Sequence, residues 1–358
     1  MKYPLHRGLL LAGLSVALSA GMSGSLVSTA AADGSRDDSH RESSRDDSHH
    51  DWHWEKSCDR SSRDWDGGRD GLKAVGLTDD QKLIKFDVDN PRDACKIGKV
   101  RLDDDREDDP KDHGKDDRDD SKDDKKDGGK GGGDGKRADD KKLVGIDFRV
   151  QNDKLYGVGD QGGIYILSTR DASAKKVSQL TVDLDGKFFG VDFNPAANRL
   201  RVISDTGQNL RHNIDDPAGA PAAGMTATDT MLTTPPATTA TTGVTAAAYT
   251  NNDLDPATAT TLFDINTNLD QVVVQSPANA GLLAAVGALG VDAGIQAGFD
   301  IYSKIRDDRT VDNKGFAVLQ VGSRSNVYKI DLLTGEADKQ GSFRDFKVVD
   351  LALPLDQH

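Results

Sequence analysis

Four carboxylates in this chain sit in copies of one short phrase. Gly145-Ile146-Asp147-Phe148 returns as Gly190-Val191-Asp192-Phe193 and as Gly298-Phe299-Asp300-Ile301, and residues 348–354 carry Asp350 at the matching place. Carboxylates repeated in this way could line a central channel and hold a cation on hard oxygen ligands. The plainer use is architectural: an inner-strand Asp accepts backbone N–H groups, and the arrangement repeats because each unit is built alike. Gly243-Val244-Thr245-Ala246 is the weakest copy, and Thr245 at the Asp position interrupts the ring.

Three further clusters carry donor-rich side chains. Ser204, Asp205, Gln208, Asn209, Arg211 and His212 form a polar string that occurs once. It reads either as a binding loop or as a hairpin turn with Gly207 at a positive-φ position. Asn251, Asn252, Asp253 and Asp255 crowd enough oxygens for Ca²⁺, although their spacing is not that of an EF-hand and such runs are also ordinary turns. His40, His49, His50 and His53 could bind Zn²⁺ or Cu²⁺ weakly, or belong to a solvated arm. Cys58 and Cys95, the two cysteines, could form one disulfide in an oxidising compartment. No G-x-S-x-G, H-E-x-x-H or phosphate-binding glycine loop is present, and His212 lacks a nucleophile motif beside it, so no catalytic residue is assigned.

The elements that must position these residues read as short β-type runs punctuated by Gly, Asp and Asn. The glycine-rich stretch 278–294 is the one helical temptation, and its glycines argue against a helix. Each repeated phrase opens a set of further strand-like runs at a spacing that suits one four-stranded propeller blade. Residues 71–102 hold three candidate strands without the Gly-x-Asp strand, whereas residues 346–354 hold only that strand. The expected fold is therefore all-β, a five-bladed β-propeller closed by pairing of the C-terminal strand with the first blade, which leaves no open sheet edge at the seam. Six blades and a β-sandwich are the alternatives.

Composition frames this core. Of 358 residues, 30% are charged and only 35% hydrophobic, because two segments hold almost no aliphatic side chains. Residues 33–70 and the mixed-charge insertion 103–142 cannot bury enough surface to offset ordering entropy and are expected to be disordered. The propeller then spans residues 71–354, with a short tail at 355–358. The net charge of −14 argues against a nucleic-acid partner. Lys2 and Arg7 before an apolar stretch, followed by Ser28-Thr29-Ala30-Ala31-Ala32-Asp33, read as a signal peptide over residues 1–32. The mature chain is expected to be exported, secreted or periplasmic, without a transmembrane segment, and monomeric.

The phrases LVGIDFRVQNDKLYGVGDQGGIY, FFGVDFNPAANRLRVISDTGQNLRHNID, GVTAAAYTNND and NVYKIDLLTGEA resemble the bacterial DUF4394 family over residues 71–353, outside the charged insertion. That resemblance implies secretion and a propeller-like domain, and it supplies no catalytic residues. The first functional expectation is a non-enzymatic propeller that binds a protein, a matrix polymer or a small ligand through its loops. The alternatives are a metal-assisted hydrolase or lactonase-like propeller and an envelope structural or stress-tolerance protein. No cofactor is expected beyond a candidate Ca²⁺.

Overall fold

The computed structural model describes residues 56–58, 71–102, 138–255, 257–355 and 357. The signal segment, most of the charged arm with its histidines, and most of the charged insertion lie outside them.

Five four-stranded antiparallel sheets form the blades of a β-propeller. The first blade contains β1 (Lys73–Thr78), β2 (Lys82–Asp87) and β3 (Asn90–Lys99). The second contains β4 (Leu143–Arg149), β5 (Lys154–Gly159), β6 (Gly163–Leu167) and β7 (Ala174–Gln179). The third contains β8 (Phe189–Asn194), β9 (Arg199–Ser204), β10 (Asn209–His212) and β11 (Thr226–Thr228). The fourth contains β12 (Val244–Tyr249), β13 (Leu262–Asn266), β14 (Gln271–Gln275) and β15 (Leu283–Ala288). The fifth contains β16 (Ala297–Arg306), β17 (Arg309–Val321), β18 (Arg324–Ile330) and β19 (Ala337–Ser342). The last strand, β20 (Val348–Ala352), completes the first blade by pairing antiparallel with β1, with Leu77 opposite Asp350. A strand from the C-terminus thus closes the ring.

Apolar side chains pack into the seams between blades. One buried cluster joins Ile84 and Phe86 to Val318 and Phe343 across the closure. Others join Leu77 to Ile146, Val158 to Phe193, Ile203 to Tyr249, and Ile265 to Phe299. An inner strand lies between two seams, so both of its faces are buried; β12 (VTAAAY) is buried at every residue. The outer strand β7 (AKKVSQ) buries no residue and carries two lysines.

Two details differ from the sequence expectation. The outermost strand of the third blade, β11, is only three residues long and weakly β-patterned, so no run announced it. In the fourth blade the Asp position belongs to Ala248, not Thr245. Asp147 accepts from the N–H of Phe193, just after Asp192, and Asp192 accepts from the N–H of Tyr249, just after Ala248. Ala246-Ala247-Ala248-Tyr249 therefore stands where Gly190-Val191-Asp192-Phe193 stands one blade earlier. By the same measure Ala352 takes the Asp position in the closing strand, because Asp300 accepts from Leu353 N–H; Asp350 lies two residues before it and accepts from Ile146 instead. The stretch 278–294 forms a strand and one 3₁₀ turn, Ala278–Ala280.

Cys58 and Cys95 form a disulfide. Beside it, Lys96 N–H donates to Lys56 O at 2.7 Å and Cys58 N–H to Lys96 O at 3.0 Å, so residues 56–58 are fastened to β3 by covalent and hydrogen bonds together.

Candidate functional site

On the propeller axis, carboxylate oxygens of Asp147, Asp192 and Asp300 approach within 4.8 Å of one another, and all three residues are buried. Asp350 joins them electrostatically. Each of the four latches one blade to the next. Asp147 accepts from its own strand at Phe148 (2.6 Å) and from Phe193 (2.7 Å). Asp300 accepts from Ile301 (2.6 Å) and Leu353 (2.6 Å), and Asp350 from Leu351 (2.9 Å) and Ile146 (2.8 Å). Asp192 accepts from Tyr249 at 3.1 Å, and among the described residues its second oxygen takes no hydrogen bond. Burial, followed by the neighbouring carboxylates, pushes Asp147 and Asp192 well above the ordinary carboxylate range. Burial does the same to Asp350 and raises Asp300 to about 6. Four acids this close cannot all carry charge in a low-dielectric channel without a compensating proton or cation. The backbone N–H groups supply only part of that compensation.

The polar string of the third blade lies in the β9–β10 hairpin. Gly207, at φ 92°, makes the turn, and its N–H donates to Ser204 O at 2.9 Å. Asp205 accepts from the N–H groups of Lys187 and Phe188. Gln208 donates to Asp183 O and accepts from Asp185 N–H. Ser204, Asn209 and His212 are buried. His212 lies between Ser178 Oγ and Thr226 Oγ1, each 2.9 Å away, and burial lowers its pKa to about 4, so the imidazole is neutral at pH 7. Arg211 pairs with Asp229 at 3.1 Å. These side chains bind the chain to itself across the second and third blades.

The Asn251 cluster makes up for the missing Asp of the fourth blade. Asn252 Nδ2 donates to Ile301 O at 3.2 Å, and its backbone N–H donates to Ser303 Oγ at 2.9 Å. Asn251 and Asn313 exchange hydrogen bonds at 3.1 and 2.8 Å. Asp253 Oδ2 accepts from Thr310 N–H and Oγ1 at 2.9 and 2.7 Å, and Asp255 pairs with Arg309 at 2.6 Å. With Ala248 unable to latch β12 to the fifth blade, this loop does so from the strand's end. Its oxygens point to several separate donors, not to one common centre.

Sequence reasoning missed a polar seam between the third and fourth blades. Arg201, almost fully buried, donates to Tyr249 Oη (3.3 Å), Asn209 (2.7 Å), Asp229 (2.7 Å) and Asn279 (2.7 Å). Near it, Asp264 is fully buried and neither of its oxygens finds a donor, and Gln275 Oε1 is likewise unpaired. The signal was an Asp inside the apolar run Leu262-Phe263-Asp264-Ile265.

It also missed a hollow at the closure of the ring. A polar cleft of about 740 Å³ opens at the closure seam between the first and fifth blades. The β2–β3 turn and the start of β3 form one wall, and the β17–β18 turn, β19 and the following loop form the other. Arg92, Arg324, Arg344 and Lys347 line it, against Asp89 and Asp345. A smaller hollow of about 140 Å³ lies at the mouth of the axis, where Val144, Phe189, Thr245, Ala297 and Val349 begin or adjoin the inner strands.

The family model described as a domain of unknown function, DUF4394, matches residues 135–352. The chain belongs to the DUF4394 family. The match leaves out β1 to β3, so this DUF4394 domain takes three strands of its first blade from sequence upstream of the matched region. No curated protein matches the sequence. Among solved structures, the chain is similar to hydrazine synthase of Kuenenia stuttgartiensis at 10% identity, covering 61% of this chain and 53% of that one, with a TM-score of 0.34. It is similar to an auxiliary nutrient binding protein of Bacteroides thetaiotaomicron at 12% identity, covering 55% and 46%, with a TM-score of 0.33. A protein from Lactobacillus plantarum is similar at 14% identity over 79% of this chain and 99% of that one, with a TM-score of 0.33. The chain spans about half the length of the first of these structures.

Proposed function

We propose that the protein is an exported, non-catalytic binding propeller whose recognition element is the cleft at the closure seam. The observation that carries this reading is the cleft itself. Its 740 Å³ falls in the range of small-ligand sites, and its walls are fixed to rigid strands. The floor is held by Phe343, packed edge-on against Phe86 with ring centroids 4.9 Å apart. Export is supported by the leader-like first 32 residues and fits a chain whose two cysteines are bonded. A hydrolytic role draws less support, because all but one of the eight axial carboxylate oxygens are engaged by backbone N–H groups.

The test is cosedimentation of the full chain with cell-wall and extracellular-polymer fractions, alongside turnover assays on ester, lactone and phosphoester substrates with and without Ca²⁺. Saturable sedimentation that is lost when the cleft is blocked by Ser323→Trp supports the reading. Metal-dependent turnover without sedimentation overturns it.

A further inference from the structure

We infer that the cleft at the closure seam binds an anionic oligosaccharide, a hydroxyl-rich chain carrying several carboxylates; this rests on the binding reading above. The whole chain carries a net charge of −14, yet this cleft gathers four cationic side chains against two acidic ones. Local charge therefore runs against the charge of the molecule. Among the described residues, Arg92 and Arg324 have no ion-pair partner. Arg344, itself exposed, has only its half-buried neighbour Asp345, at 3.2 Å, and Lys347 reaches Asp79 at 3.2 Å. Two guanidinium forks without counter-ions can each take an oxyanion in two parallel hydrogen bonds.

The charges come from separate elements. Arg92 is on β3, Arg324 begins β18, and Arg344 and Lys347 follow β19. Several anionic groups spaced along one ligand match this layout better than a single phosphate would. Between the charges the lining is hydroxyl and amide: Ser323, Ser342, Gln340 and Asn90. Such groups suit sugar hydroxyls. Phe343 and Phe346 are buried in the wall and offer no open apolar pocket of the kind that anchors a peptide side chain. The walls are braced: a Cβ placed on Gly341 would meet Pro91 Cδ at 2.7 Å, so β19 and β3 touch at the base of the cleft.

The test is isothermal titration of the full chain with oligogalacturonate, with neutral malto-oligosaccharide of equal length, with sodium sulfate and with a poly-aspartate peptide. Each is run on the wild type and on the Arg92→Ala/Arg324→Ala double variant. Both arginines are exposed, so thermal unfolding of the variant should match the wild type. The expected result is oligogalacturonate binding that weakens at least tenfold in the double variant and falls with rising salt, with neutral sugar and sulfate not binding measurably. Equal binding of the neutral sugar, lost on Ser323→Trp, overturns the anionic class but leaves the cleft as the binding element. Preference for the poly-aspartate peptide overturns the saccharide. Unchanged oligogalacturonate binding in both the double variant and Ser323→Trp overturns the inference and the binding reading together.

Discussion

Asp264 shows how a single side chain can oppose its own fold. It faces the third blade from β13, opposite Val273 on β14, and Gln275 is the next residue on that face of β14. Diagonal neighbours of this kind lie within reach of each other. Both Asp264 oxygens and Gln275 Oε1 are buried acceptors without a donor. Burial holds the Asp264 carboxyl well above its usual range, opposed only by the charge of Arg201. An unsatisfied buried polar group costs about 1–3 kcal/mol. Asp264→Asn keeps the shape, removes the ionisable group and adds an amide donor that can turn toward Gln275. The expected outcome is a higher urea midpoint with an unchanged m-value, and a gain that grows from pH 5 to pH 8. A lower midpoint at all pH values would mean that the carboxylate is ionised and held by Arg201.

At the scale of elements, the inner strands depend on close approach. A Cβ on Gly190 would sit 2.7 Å from the backbone N of Ala247 and 2.8 Å from the carbonyl carbon of Ala246, so β8 can touch β12 only with glycine there. Because the obstacle is backbone, Gly190→Ala must push two blades apart, and overpacking of this kind costs about 1–3 kcal/mol or more. Chemical denaturation should show that loss. The fourth-to-fifth blade latch gives a companion prediction: Asp253→Ala removes both hydrogen bonds from Thr310. It should speed hydrogen exchange at Thr310 and Asn313 while leaving the far blades protected. The repeated Gly-x-Asp phrase made these inner strands legible in the sequence, and with them the blade count and the closing strand. The outer strand β11 was not legible, because a three-residue exposed strand needs no apolar alternation. The register of β12 was also hidden, because Ala246, Ala247 and Ala248 carry no chemical mark, and only hydrogen bonds from the neighbouring blade show which alanine stands in the Asp position. Clefts between distant strands, such as that joining Arg92 to Arg324, depend on ring closure and leave no local pattern.

Over the whole molecule, two sets of buried titrating groups pull stability in opposite directions with pH. Asp147, Asp192, Asp264 and Asp350 have folded pKa values raised well above 3.8, and Asp300 is raised to about 6. Between 3.8 and those values the folded state holds more protons than the unfolded one, so these groups lower stability as pH rises through that window. His212 acts the other way. Its folded pKa of about 4 lies below 6.5, so the unfolded state holds the extra proton and stability is lost as pH falls from about 6.5 to about 4. Five acids oppose one imidazole, so the thermal midpoint should rise as pH is lowered from 8 to about 5. Below that, protonation of paired carboxylates such as Asp171, held at about 2 by its serine hydrogen bonds, should bring it down again. Thermal melts of the wild type and of Asp192→Asn in chelator-treated buffer provide the measurement. Asp192 is the substitution of choice because its Oδ1 can still accept from Tyr249 as an amide oxygen, while the carboxyl that Asp147 and Asp300 push upward no longer titrates. The variant should flatten the fall in midpoint between pH 6 and pH 8. A wild-type midpoint that instead rises steadily from pH 5 to pH 8 would show that the axial carboxylates are ionised in the native state, and their mutual repulsion would then have to be balanced by something other than protons.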